Sequence, residues 1–185
     1  MSTENSLTKT YSGIFGNQVV LKNRKGKSIM VIPKTRDKVN PTAKQVEVRK
    51  KFALASQYAR TILLIPEMKA LYAAKAVNGS SAYVVAMTDW LNPPAVHEID
   101  TLDYKGNPGD KIHVVALDNF ALKEVRVSVF DSKGSEIEKG FCDQDPMTSR
   151  FDYIATVRVD NLKGVKIIAH AVDFPNHIGE LSKTL

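Results

Sequence analysis

The sequence predicts an α+β protein, with an N-terminal β-hairpin and helices followed by a C-terminal Ig-like antiparallel β-sandwich. Three observations predict it. Two β-rich runs flank a Gly-bearing turn near the start, and apolar residues then recur at helical spacing. Beyond Asn92-Pro93-Pro94 the apolar period drops from about 3.6 to about 2.

Residues 1–10 are polar and aperiodic, and read as a flexible tail. Residues 11–94 form the second region. Here Gln18 to Lys22 and Ser28 to Ile32 are the two arms of the hairpin, joined through Asn23-Arg24-Lys25-Gly26-Lys27. Asn40-Pro41 starts a helix, with Asn as cap and Pro at the first helical position. Thr42 with Gln45 is an alternative start, a capping box one register later. Val48, Phe52, Ala55, Ala59 and Ile62 fall on one helical face, with Lys44, Glu47, Lys51 and Arg60 opposite. Pro66 ends or kinks this helix, Glu67 to Ala76 is a second one, and Ser80 or Ser81 caps a third through Trp90.

The double proline sets the domain boundary, and residues 95–185 are the sandwich. Its strands are Val96 to Tyr104, Lys111 to Leu117, Glu124 to Phe130, Glu136 to Cys142, Arg150 to Val159, Val165 to Val172 and Ile178 to Lys183. Seven short strands over about ninety residues fit an immunoglobulin-like sandwich. Alternation turns Ile112, Val114 and Ala116, Val125, Val127 and Val129, and Ile167, Ala169 and Ala171 inward. The cysteines and core tryptophan of antibody domains are missing from the pattern.

Composition excludes several classes. At 185 residues, 43% hydrophobic and 25% charged, the chain is neither disordered nor collagenous, and its single cysteine excludes an internal disulfide or a multi-cysteine metal site. No apolar run approaches the roughly 20 residues of a membrane span, and the first residues lack a signal-peptide pattern, so the expected location is cytoplasmic. The net charge of +6 is unevenly divided. Residues 1–78 hold 15 Lys+Arg against 4 Asp+Glu, net +11, and residues 79–185 hold 11 against 16, net −5. Such a split concerns partners and association rather than fold.

Two resemblances accompany these patterns. Residues 109–175, with Gly109-Asp110-Lys111-Ile112, Ala116 to Phe120, Gly134 to Glu138 and Ala171-Val172-Asp173, resemble bacterial Ig-like modules of surface and assembly proteins. Gly13 through Lys27, with Thr42, Gln45, Arg49, Phe52 and Ala55, is similar to the front of an uncharacterised protein family of Bacteroidota. The first implies a sandwich module, and the second implies no activity.

No catalytic constellation emerges. His113 and His170 alternate with inward residues on strands expected in opposite sheets, so they cannot share a metal, and no Ser or Cys is spaced beside any histidine. Cys142 reads as a buried or half-buried inert thiol. Asp118, Asp143, Asp145 and Asp173, with Asn119 and Asn176, are expected at one end of the sandwich. Turn capping accounts for them better than calcium, whose loop spacing is missing, although calcium stays open. An enzyme would need a pocket where the helices meet the sandwich.

The expected function is therefore non-enzymatic, with no catalytic residues, metal or cofactor. Lys22, Arg24, Lys25, Lys27, Lys34, Arg36, Lys38, Lys50 and Lys51 are the candidate binding residues of the basic region. Their expected partner is a second copy of the chain or another protein, in structural assembly. A nucleic acid is the alternative, since these charges could track a phosphate backbone, but no exposed aromatic is interleaved to stack on bases.

Overall fold

A computed structural model describes residues 12–16, 18–24, 27–32, 40–77, 79–146, 148 and 150–185. The described residues form three helices and eleven strands in three antiparallel sheets. The chain divides into two compact units, Met1–Val48 and Arg49–Leu185. The Pro93-Pro94 pair thus marks the change from helix to strand inside the second unit. The division itself falls within a helix.

In the first unit, β1 (Gly13–Phe15), β2 (Val19–Arg24) and β3 (Lys27–Val31) make a sheet in that order. The predicted hairpin is β2 and β3, whose pairing runs from Val20↔Val31 to Arg24↔Lys27 and takes three of the five predicted turn residues, Asn23, Arg24 and Lys27, into the strands. Strand β1 is additional to the prediction, at three residues too short to show a period. Helix α1 (Ala43–Ile62) begins in the later register. Thr42 N donates to Gln45 Oε1 at 3.1 Å and Gln45 N donates to Thr42 Oγ1 at 3.3 Å, the reciprocal capping box.

In the second unit, α2 (Pro66–Ala74) carries proline in its first turn, and α3 (Ala82–Leu91) is capped by Ser81, whose Oγ accepts from Val84 N. The sandwich follows as β4 (Ala95–Asp100), β5 (Lys111–Leu117), β6 (Leu122–Phe130), β7 (Glu136–Phe141), β8 (Asp143–Gln144), β9 (Arg150–Ile154), β10 (Lys166–Asp173) and β11 (Ile178–Thr184). Its sheets are β4-β5-β9-β8 and β11-β10-β6-β7. With the strands lettered in order, these are the A-B-E-D and G-F-C arrangement of an immunoglobulin-like sandwich, with β7 added beside C. All nine residues predicted to face inward are at most 2% exposed.

Two predicted strands are shorter than their patterns. The first stops at Asp100, where its Oδ1 accepts from Leu102 N and turns the chain. The strand from Arg150 stops at Ile154 because the next backbone groups bond elsewhere: Ala155 N to Asp110 O, and Thr156 N and Val157 N to Glu138 Oε2. Gly106, at φ +89°, occupies a turn where any Cβ would strike the Val159 carbonyl.

The helices close one end of the sandwich. Phe120, after β5, stacks on Tyr72 of α2 with centroids 4.3 Å apart, and Phe174, after β10, meets Phe120 edge-on at 5.8 Å. Ala59 and Ala86 complete this second core.

Candidate interaction surfaces

In the first unit no residue whose burial is described, among 12–14, 16, 18–23, 28–32 and 40–48, is buried. Ladder partners share a face. Ile14, Val20 and Val31 lie in one row, and Lys22 and Ile29 continue that face; Gly13, Leu21 and Met30 share the other. Ile14 and Met30 are each 67% exposed, so apolar side chains are open on both faces. A signal for this was present in the sequence: Val19-Val20-Leu21 and Ile29-Met30-Val31-Ile32 are continuous apolar runs, the pattern of strands covered on both sides. The α1 stripe behaves likewise. Ala55 and Ala59 are fully buried and Ile62 is half-buried, whereas Val48 and Phe52 stay exposed.

The basic residues accompany these open apolar positions. Lys22 is exposed on β2, Arg24 and Lys27 form the closing rung of the hairpin, and Lys50 and Lys51 are exposed on α1. Lys25, Lys34, Arg36 and Lys38 lie outside the described residues.

The sandwich presents two outer faces of different charge. On β4-β5-β9-β8 the register aligns Asp100, His113, Asp152 and Asp143 in a row across all four strands. Glu98, Val115 and Arg150 form the next row, and Lys111 and Ile154 sit opposite each other at the end. His113 faces outward, as alternation requires, yet it is only 9% exposed because carboxylates enclose it. Its Nδ1 lies 2.6 Å from Asp152 and its Nε2 lies 3.1 Å from Asp103. Burial opposes the imidazolium, but the hydrogen bonds to Asp152 and Asp103 prevail and hold its pKa above the ordinary histidine value. Burial likewise disfavours the Asp152 carboxylate, and His113 and Lys111 outweigh it to lower that pKa. The outer face of β11-β10-β6-β7 carries His170 against Glu180 at 3.3 Å, confirming that His113 and His170 stand on opposite sheets.

The four loop carboxylates do not all converge. Asp143 stands in the row beside Asp152, and Asp145 accepts from Thr148 in the turn before β9. Asp118 accepts from Phe120 N and Ala121 N, and Asp173 accepts from His177 N and contacts its Nδ1 at 3.0 Å. Turn capping is thus what Asp118 and Asp173 do. Among the described residues no cluster of three or more His, Cys, Asp or Glu side chains could hold a metal ion.

A third acid, hidden from sequence patterns, joins Asp118 and Asp173. Asp89 of α3 is fully buried; its Oδ2 accepts from Tyr72 OH at 2.6 Å, and Tyr72 OH lies 2.8 Å from Tyr58 OH. The Oδ1 of Asp89 has no hydrogen-bond partner among the described residues. Burial, with the nearby charges of Asp118 and Asp173, pushes the Asp89 pKa up to about 7 against the Tyr72 hydrogen bond. Burial also raises Tyr58 to about 12. A cleft of about 290 Å³ opens near the same junction, with Lys75, Asp118, Gln144 and Phe151 in its lining. Cys142 is half-buried, and burial with Asp143 and Asp152 pushes its thiol up to about 12, which makes it a poor nucleophile.

No helix among the described residues is long and apolar enough to cross a membrane. No protein-family model, curated protein or solved structure matches the chain.

Proposed function

We propose that this chain is a non-enzymatic structural or assembly protein, whose basic N-terminal unit engages a neighbouring subunit and whose sandwich supplies the second surface. One observation carries the reading: the first unit bears Ile14, Ile29, Met30 and Val31, all exposed, on a three-stranded sheet in which no side chain of described burial is buried. A sheet gains its stability by packing a face against another element. Each Ile, Val or Met covered by a partner contributes about 1.5–3 kcal/mol, enough in sum to drive association. The +11 and −5 charges of the two parts of the sequence add attraction between copies. A basic patch joined to a basic-repelling partner would gain nothing, whereas a basic region of one copy and an acidic region of the next form a heterologous contact that can close into rings or extend as filaments.

The exposed aliphatic side chains beside Lys22 favour a protein over a nucleic acid, because a phosphate backbone offers them nothing apolar to cover. The likeness of residues 109–175 to Ig-like modules of bacterial assembly proteins leans the same way. Size-exclusion chromatography with light scattering tests the reading. Species heavier than the 20.5 kDa monomer are expected at about 50 mM salt and fewer at about 500 mM. A monomer at every concentration and ionic strength would refute it. If retention on DNA or RNA falls after charge reversal at Arg24, Lys25 and Lys27 while the protein stays monomeric, nucleic-acid binding takes its place.

A further inference from the structure

Resting on that assembly reading, we infer that the N-terminal sheet of one copy docks on the outer face of the β4-β5-β9-β8 sheet of a second copy. The docking element is the face that carries Ile14, Val20, Ile29 and Val31 with Lys22. Its described side chains are exposed or half-buried, and the complement it needs is another sheet face, apolar in part and opposite in charge.

The sandwich offers two candidates, and charge decides between them. The outer face of β11-β10-β6-β7 carries Lys166, Arg126 and Lys139 against Glu180, Glu124 and Glu136, which balance. That face gives a cationic sheet no net attraction. The outer face of β4-β5-β9-β8 carries Glu98, Asp100, Asp143 and Asp152, with Asp103 against His113, and opposes them only with Lys111 and Arg150. It is net negative whether His113 is neutral or charged. It also provides Val115, Leu117 and Ile154, the last two 46% and 48% exposed, for the aliphatic row to cover. Glu98 and Asp143 are themselves exposed, so neither must leave a buried site to meet Lys22.

The test uses the full chain. Glu98→Lys with Asp143→Lys reverses charge on the proposed face, and Glu124→Lys with Glu180→Lys makes the same change in net charge on the other. Light scattering over a dilution series at about 50 mM salt reads the association constant, with circular dichroism to verify folding. The first pair is expected to weaken association by at least about tenfold and the second by less than about twofold. Adding Lys22→Glu to the first pair should recover part of the loss, a gain that a folding defect would not give. Equal weakening by both pairs, or weakening by the second alone, overturns this docking face and leaves self-assembly standing. A wild-type chain that is monomeric throughout overturns both.

Discussion

Asp89→Asn isolates the energetic consequence of burying a carboxyl group between the helices and the sandwich. In the unfolded chain this group titrates near 3.9, and in the fold burial and the charges of Asp118 and Asp173 raise it to about 7. A raised carboxyl pKa means that the native state holds the proton more tightly, so stability is greatest below about pH 4 and falls as pH rises toward 7. Across about three pH units, at about 1.4 kcal/mol each, the loss is about 4 kcal/mol, and it is complete above the folded pKa. Asparagine has the same shape and no charge to lose. Its carbonyl oxygen can keep the bond from Tyr72 OH, and its amide nitrogen takes the place of Oδ1, which has no hydrogen-bond partner among the described residues. The variant should therefore gain on the wild type by about 3 kcal/mol between about pH 5 and pH 8. With a urea dependence of about 2 kcal/mol per molar, that is a midpoint shift of about 1.5 M. Trp90 reports the transition, since it is the single tryptophan and sits edge-on to His177 at 5.2 Å, beside Asp173. Parallel pH profiles for the two proteins, or a variant weaker than the wild type at about pH 8, would refute the reasoning.

Two further outcomes follow from other buried charges. The His113–Asp152 pair should stabilise the fold within a window: the raised His113 pKa gives stability that is present below about 6.5 and lost as pH rises through the folded value, and the lowered Asp152 pKa gives stability present above about 3.9 and lost on acidification. His113→Asn should accordingly lose about 1–3 kcal/mol, most strongly between about pH 4 and 6.5; thermal unfolding across pH measures it, and a pH-independent loss would contradict the ion pair. Glu138→Ala removes the acceptor shared by Tyr153 OH, Thr156 N, Thr156 Oγ1 and Val157 N at 2.8–3.1 Å, which ties β7 to the segment after β9. A loss of about 3 kcal/mol or more in urea unfolding is expected, and one below about 1 kcal/mol would show that water replaces the carboxylate freely.

The sequence by itself determined the elements that depend on neighbours along the chain. Alternation at Val125, Val127 and Val129 identifies the inward side of β6, the Thr42 and Gln45 pair writes a helix start, and the double proline marks the passage from helix to strand. The basic and acidic parts of the chain are likewise fixed by composition, since net charge adds along the sequence whatever the fold. Periodicity reports which side of an element is apolar, but only packing decides what covers it. The α1 stripe illustrates the difference: Ala55 and Ala59 are buried, Ala59 within the helical core, while Val48 and Phe52, on the same face by spacing, are open. Alternation turns His113 outward, yet Asp103 and Asp152, 10 and 39 residues away, enclose it. Nothing in the local sequence around Asp89 marks it, because its partner Tyr72 lies 17 residues earlier, on another helix. These contacts join residues far apart in sequence, so tertiary structure alone decided which acids would be buried and which apolar side chains would stay exposed.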